Sequence, residues 1–208
     1  MILASVSPRR LALLAQIGVV PDQVVPADID ETPRKNELPR PYAERIAREK
    51  AACVAAPGCF TLAADTVVAV GRRILGKADS PEQARACLSL LSGRRHHVLT
   101  AVTLIAPDGS ASHRLSDTSV IFARLTEFDI RTYIETNEWE GKAGGYAIQG
   151  RAAAFIKTIQ GSYSGVVGLP LYETAQLIKG SKARGSAPRT PPRESVLRTK
   201  GPAAPDPH

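Results

Sequence analysis

The sequence predicts an α/β protein whose central mixed sheet is flanked by helices, and three observations carry that prediction. Within residues 1–180, short apolar runs of strand type alternate with amphipathic helical patterns. Two β-runs, near residues 97–106 and 112–123, are joined by Pro107-Asp108-Gly109, a reverse-turn signal that makes them an antiparallel hairpin and argues against an all-parallel sheet. No internal repeat is present, and 208 residues with 43% apolar content are enough for one substantial core.

Each element follows from local chemistry. A first strand, Ile2 to Ala4, runs into Ser7-Pro8-Arg9-Arg10 and then into the helical spacing Leu11, Leu13, Leu14, Ile17, stopped by Gly18. Ser7 is the expected N-cap, and Pro8 suits the first helical position, where no N–H is missed. A second helix covers Pro41 to Ala56, and its Pro57-Gly58 stop leads into an apolar strand ending at Asp65. Ser80 and Gln83 have the spacing of a capping box at the start of a third helix that ends near Gly93. After the hairpin, Thr126 caps a helix through Thr136, and the glycine-rich stretch Gly141 to Gly150 precedes a strand at Ala153 to Ile159. A last helix, Leu171 to Lys179, closes the fold.

Composition excludes several classes. No stretch approaches the roughly 20 uncharged apolar residues that span a bilayer, and the N-terminus carries no export pattern, so a soluble, cytoplasmic protein with no membrane partner is expected. Cys53, Cys59 and Cys87 are odd in number with no C-x-x-C, which argues against a disulfide framework or structural zinc and predicts reduced, mostly buried thiols. His96 and His97 are adjacent and point to opposite faces of a strand, so they cannot chelate one ion together; surface or cross-strand roles are expected. The net charge of +7 suggests a polyanion partner, but six basic residues against two acidic ones lie in residues 181–208, leaving only +3 for the remainder. That Pro-, Ser- and Gly-rich segment has almost nothing apolar to bury and is expected to be a disordered, basic tail. Its arginines have no interleaved aromatics, which disfavours nucleic acid as a partner.

Three segments carry chemistry. A strand that feeds directly into Ser7-Pro8 leaves free backbone N–H groups and the positive end of a helix dipole at one spot, where Arg9 and Arg10 add guanidinium forks that match phosphate oxygens. Asp65 and Thr66 interrupt an apolar run, so the carboxylate can face a cleft and orient a water or help hold Mg²⁺ against phosphate oxygens. Lys50 and Lys77 can neutralise a polyphosphate there. In Gly141 to Gly150 the glycines permit close backbone approach, and Gln149 offers the donor and acceptor needed to read a nucleobase edge. Neither a P-loop nor a G-x-G-x-x-G fingerprint is present, which removes the main support for kinase, GTPase and dinucleotide-binding readings.

Together, SPRR after the first strand, DETP at Asp30 to Pro33, AREKA at Ala47 to Ala51, AADTVV at Ala63 to Val68, GKA at Gly76 to Ala78, KAGGYAIQG at Lys142 to Gly150 and GSYSGVVGLPL at Gly161 to Leu171 resemble the Maf family of nucleoside triphosphate pyrophosphatases. The resemblance spans Ile2 to about Lys179. It implies an elongated, two-lobed α/β fold similar to the inosine-triphosphatase type. It also implies hydrolysis of a nucleoside triphosphate to monophosphate and pyrophosphate with a divalent cation, Mg²⁺ or Mn²⁺, in a house-cleaning or division-linked role. By position, Asp65 falls on the family's proton acceptor, and Arg9, Thr66 and Gln149 fall on the positions that separate its branches. Ser7, Arg10, Glu31, Lys50 and Lys77 fall on other polar cleft positions, with Glu31 and Asp65 as metal ligands. Arg, Thr and Gln at the three discriminating positions match the branch acting on dTTP and UTP, whereas the 7-methyl-GTP branch is similar to SPWRR, DQV and a glutamate. Gly165 departs from the family, where many members have Asn. A homodimer is compatible with the resemblance. The alternatives are a 7-methyl-GTP pyrophosphatase and a non-catalytic regulator that binds nucleotide or nucleic acid.

Overall fold

The computed structural model describes residues 1–185, with side chains described to residue 181. Seven strands form one mixed sheet: β1 (Ile2–Leu3), β2 (Gln23–Val24), β3 (Thr61–Val70), β4 (Arg73–Leu75), β5 (Arg95–Ile105), β6 (Ala111–Phe122) and β7 (Ile156–Gln160). Their order is β2-β1-β3-β5-β6-β7, with β4 paired to β3 beyond the end of β1. Only β1 makes parallel pairs, with β2 and β3, and the long strands β3, β5 and β6 are antiparallel neighbours. The sheet is therefore mixed, as the turn chemistry predicts. At that turn Gly109, with φ +83°, donates to the Ala106 carbonyl at 2.9 Å, a conformation glycine adopts without a Cβ penalty.

Helices cover the sheet: α1 (Pro8–Gln16), α2 (Pro39–Val54), α3 (Pro81–Leu91), α4 (Glu127–Ile134), α5 (Tyr163–Val167) and α6 (Leu171–Gly185). Helix α2 lays Tyr42, Ala43, Ile46 and Ala47 on Val67, Leu99 and Ala101 of β3 and β5. The opposite face packs Val68, Val98, Val120 and Phe122 against α3, α4 and the segment around Trp139 and Tyr146. Burying such side chains contributes roughly 1.5–3 kcal/mol each, so the long strands are anchored on both faces.

Several local expectations need correction. Residues 151–155 form a 3₁₀ turn, and strand β7 begins only at Ile156. Strand β3 runs on through Asp65 to Val70, so Asp65 lies mid-strand. The Gln83 side chain reaches the Asp79 N–H at 2.8 Å, one residue before the position a capping box uses, while Ser80 Oγ accepts from Gln83 N. The thiols are free, but Cys53 and Cys59 are exposed and Cys87 only half-buried. His97 takes the cross-strand role, 2.7 Å from Asp117, whereas His96 is fully buried. Helix α6 continues past the expected end at Lys179 to Gly185 and buries Ser181. The rest of the basic segment lies outside the described residues.

Candidate active site

Strand β1 ends at Leu3, and Ala4–Ser7 carry the chain from the sheet to α1. Ser7 occupies the N-cap with extended backbone, yet its hydroxyl makes no capping hydrogen bond; its N–H donates instead to Ser5 Oγ at 3.3 Å. Pro8 has no N–H, and the first turn has no acidic side chain. The N–H groups of Arg9 and Arg10 thus lack intrahelical acceptors and stand at the positive end of the helix, open to an anion. Arg10 is held by two bonds, Nε to the Gly168 carbonyl at 2.9 Å and Nη1 to Ser5 Oγ at 3.0 Å. Burial lowers the pKa of both arginines; for Arg10 the Asp65 carboxylate works in the opposite direction.

Strand β1 pairs with β3 only at Thr61 and Leu62, and β4 only at Val68–Val70. Between them this edge of β3 is open. Ala4 N donates to the Leu62 carbonyl, so the even-numbered residues of β3 direct their backbone groups to this edge, and the side chains of Asp65 and Thr66 leave it on opposite faces. The cleft opens at this gap, just past the carboxyl end of a parallel strand.

On the α2 face, Lys50 joins two carboxylates: its Nζ lies 2.8 Å from Asp65 Oδ1 and 2.9 Å from Glu31 Oε1. Lys77 Nζ is 3.0 Å from Glu31 Oε2. Asp65 is buried, and desolvation raises its pKa despite the opposing charges of Lys50 and Arg10. Burial also acts to raise Glu31, but its bonds to Lys50 and Lys77 prevail and hold it below the usual carboxylate range. The loop that carries Glu31 is pinned to α2. Tyr42 Oη donates to the Glu31 carbonyl at 2.7 Å, and Arg45 grips Glu37 through two bonds of 2.7 Å.

Two Gly-Lys-Ala segments, 76–78 and 141–143, meet across the cleft mouth. Gly144 N donates to the Gly76 carbonyl at 3.0 Å and Ala78 N to the Lys142 carbonyl at 3.2 Å, which brings Lys77 and Lys142 to one rim. Gly144 has φ +69°, and a Cβ there would stand 2.8 Å from Val68, so only glycine fits. Beyond it, Tyr146 is buried, with its hydroxyl 2.9 Å from His96 Nε2, and Gln149 is exposed.

All nine predicted site residues (Ser7, Arg9, Arg10, Glu31, Lys50, Asp65, Thr66, Lys77 and Gln149) line this one cleft of about 400 Å³. Sequence reasoning missed two more. Ser5 positions Arg10. Lys142 lines the cleft with its pKa lowered by burial, then by Arg9, and the repeated Gly-Lys-Ala is the signal that could have found it. Among the described residues no group of three or more His, Cys, Asp or Glu side chains could by itself hold a metal ion. Glu31 and Asp65 together offer two carboxylates, a donor set that fits a hard divalent cation completed by phosphate oxygens and water.

A helix N-terminus, two arginines and three lysines around a buried carboxylate define the cleft of a polyphosphate-binding protein. The chain belongs to the family of Maf-like proteins, whose model matches residues 1–181. Among its relatives, the dTTP/UTP pyrophosphatase of Gluconobacter oxydans is 62% identical over 187 residues, covering 86% of each chain. That of Caulobacter vibrioides is 60% identical, covering 86% of this chain and 94% of the relative. A HAM1 protein from Coxiella burnetii is a distant structural neighbour at 17% identity, with a TM-score of 0.46 over 86% of this chain and 98% of the other.

Proposed function

We infer that the chain hydrolyses nucleoside triphosphates, dTTP and UTP foremost, to the monophosphate and pyrophosphate. The observation that carries this reading is a buried carboxylate at the centre of a cationic cleft, Asp65 beside Lys50. The names and high identity of the relatives support the pyrimidine substrates.

Hydrolysis between the α- and β-phosphates requires that three phosphates be positioned and one water deprotonated. Arg9, Arg10, Lys50, Lys77 and Lys142 supply positive charge, and the open N–H groups of α1 donate to a phosphate. Asp65 takes the proton of the attacking water, and its raised pKa makes it a better base than an exposed carboxylate. A divalent cation, Mg²⁺ or Mn²⁺, held by Glu31 and Asp65 together with phosphate oxygens, would neutralise developing charge. Gln149, neutral and exposed at the rim, can pair with the edge of a uracil or thymine. The exposed free thiols of Cys53 and Cys59 suit a reducing cytoplasm.

Turnover of dTTP, UTP, GTP and 7-methyl-GTP with Mg²⁺ or Mn²⁺ tests the reading. Pyrophosphate release, fastest from dTTP and UTP, is expected. Release of orthophosphate, preference for 7-methyl-GTP, or no turnover of any triphosphate would contradict it.

A further inference from the structure

Gln149 stands exposed in the cleft, and among the described residues no partner holds its amide. A free amide can read a nucleobase only if the backbone beneath it is fixed, because donor and acceptor must arrive within roughly 0.5 Å of their partners. That backbone is held on both sides. Gly150 N donates to the Ala147 carbonyl at 3.0 Å, which closes a tight turn with Ile148 and Gln149 at its two central positions. Two residues before Gln149, Ala147 N donates to Tyr133 Oη at 3.0 Å. Two residues after it, Arg151 N donates to Glu138 Oε2 at 2.7 Å, a short bond of the charge-assisted kind.

Both acceptors belong to one platform, the end of α4 and the turn that follows it. Tyr133 and Trp139 are buried in the core there, and Trp139 Nε1 donates to the Ile134 carbonyl at 2.9 Å. Glu138 N donates to Thr136 Oγ1 at 3.1 Å. The sequence also makes room for the Glu138 carboxylate. It packs against Gly150, where a Cβ would collide with Oε2 and stand 2.6 Å from Cδ. Gly150 has φ −106°, outside the left-handed region that calls for glycine, so space for Glu138 is what requires glycine here.

We propose that Glu138, which does not itself line the cleft, is a positioning residue for Gln149 and sets how sharply the site tells uracil and thymine from other bases. Its carboxylate anchors the Arg151 N–H and, with the Ala147–Gly150 turn, fixes the amide between those two points. Loosening it leaves the charged wall in place, because Asp65, Lys50 and Glu31 stand on β3, α2 and the loop before α2. The proposal rests on the base-reading role given to Gln149 above and assigns a cause to its precision.

The experiment compares kcat/KM for UTP and GTP in the wild type and in Glu138→Ala, Glu138→Gln, Gly150→Ala and Gln149→Ala. Both substrates are measured on one preparation, so the ratio does not depend on how much of it is folded, and destabilisation alone leaves it unmoved. Glu138→Ala should lower the UTP-to-GTP ratio about tenfold, chiefly through a higher KM for UTP with kcat little changed. In Glu138→Gln the amide oxygen still accepts from the Arg151 N–H, and the ratio should stay within about twofold of the wild type. Gly150→Ala keeps Glu138 but evicts its carboxylate from that N–H, so it should reproduce the loss, and it decides the matter if Glu138→Ala does not fold. A ratio lowered by Gln149→Ala but left at the wild-type value by Glu138→Ala or by Gly150→Ala overturns the proposal alone. A ratio that Gln149→Ala does not move removes the base-reading role and the proposal with it. Absence of turnover with every triphosphate is the separate result that removes the hydrolase reading and all that rests on it.

Discussion

The two walls of the cleft are built on opposite principles. On the α2 side, Asp65, Lys50, Glu31 and Lys77 form a chain of charges, each touching the next at 2.8–3.0 Å, and the Arg45–Glu37 pair fastens the loop that carries Glu31. On the other side, Thr66, Thr100, His96 and Tyr146 are neutral and joined by hydrogen bonds beside an apolar packing. Paired charges in a partly buried site interact strongly, so in the proposed function the first wall carries the charge that develops on a phosphate. Neutral hydrogen-bonding groups distinguish one base from another at about 1 kcal/mol per bond, so in the proposed function the choice of nucleotide falls to the second wall.

This division can be broken most severely at Asp65. Asp65→Asn keeps the volume and removes the base, so kcat should fall at least about a hundredfold while KM changes only a few-fold. In the wild type the base must be ionised, and the buried carboxyl has a raised pKa, so kcat/KM should rise with pH along a limb above the ordinary carboxylate range. Near-normal turnover in the Asn variant would remove Asp65 from the mechanism.

The second wall is probed at Gln149. Gln149→Glu preserves size but loses the donor and adds a negative charge. Selectivity for dTTP and UTP over purine triphosphates should drop roughly tenfold to a hundredfold, with acceptance of cationic 7-methyl-GTP rising. Ratios of kcat/KM measured for both proteins decide it; unchanged ratios would mean that Gln149 does not face the base.

Stability separates the walls by pH. Burial, and then the neighbouring His97, push His96 down to about 4 from an ordinary value near 6.5. Its neutral form is favoured in the fold, so the contribution is complete above pH 6.5 and is lost as pH falls toward 4, amounting to about 2 kcal/mol by pH 5. Unfolding free energies at pH 7 and pH 5 for the wild type and His96→Gln check this; the difference should shrink in the variant. The smallest effect is expected from deleting residues 186–208, which lie beyond every residue of the cleft. Tm and kcat/KM should stay within error, and a large loss in either would give that segment a role in the site.

The cleft was more legible in the sequence than the details of the fold around it. Most named site residues came from short segments in which charge, proline or glycine interrupts an apolar run, whereas Glu31 was named only through the family resemblance. Asp65 was read correctly as facing the cleft but wrongly as ending its strand. A polar residue can sit in the middle of β3 because the neighbouring edge is open there, and no local pattern announces that gap. Strands β2 and β4, of two and three residues, are too short for any periodicity; β4 forms against the long strand β3, and β2 only against the equally short β1. The Ser7 side chain looked like a cap, yet it makes no capping bond, and Ser5 Oγ accepts from the Ser7 N–H instead. Lys142 was hidden inside a glycine-rich motif whose backbone drew the attention.

The most direct test of the central claim follows the oxygen of the attacking water. In a single turnover of UTP in ¹⁸O-water, attack at the α-phosphorus assisted by Asp65 places the label in the nucleoside monophosphate and leaves the pyrophosphate unlabelled. Label in the pyrophosphate, or release of labelled orthophosphate, would mean that the water attacks another phosphorus and that the cleft does not work as described.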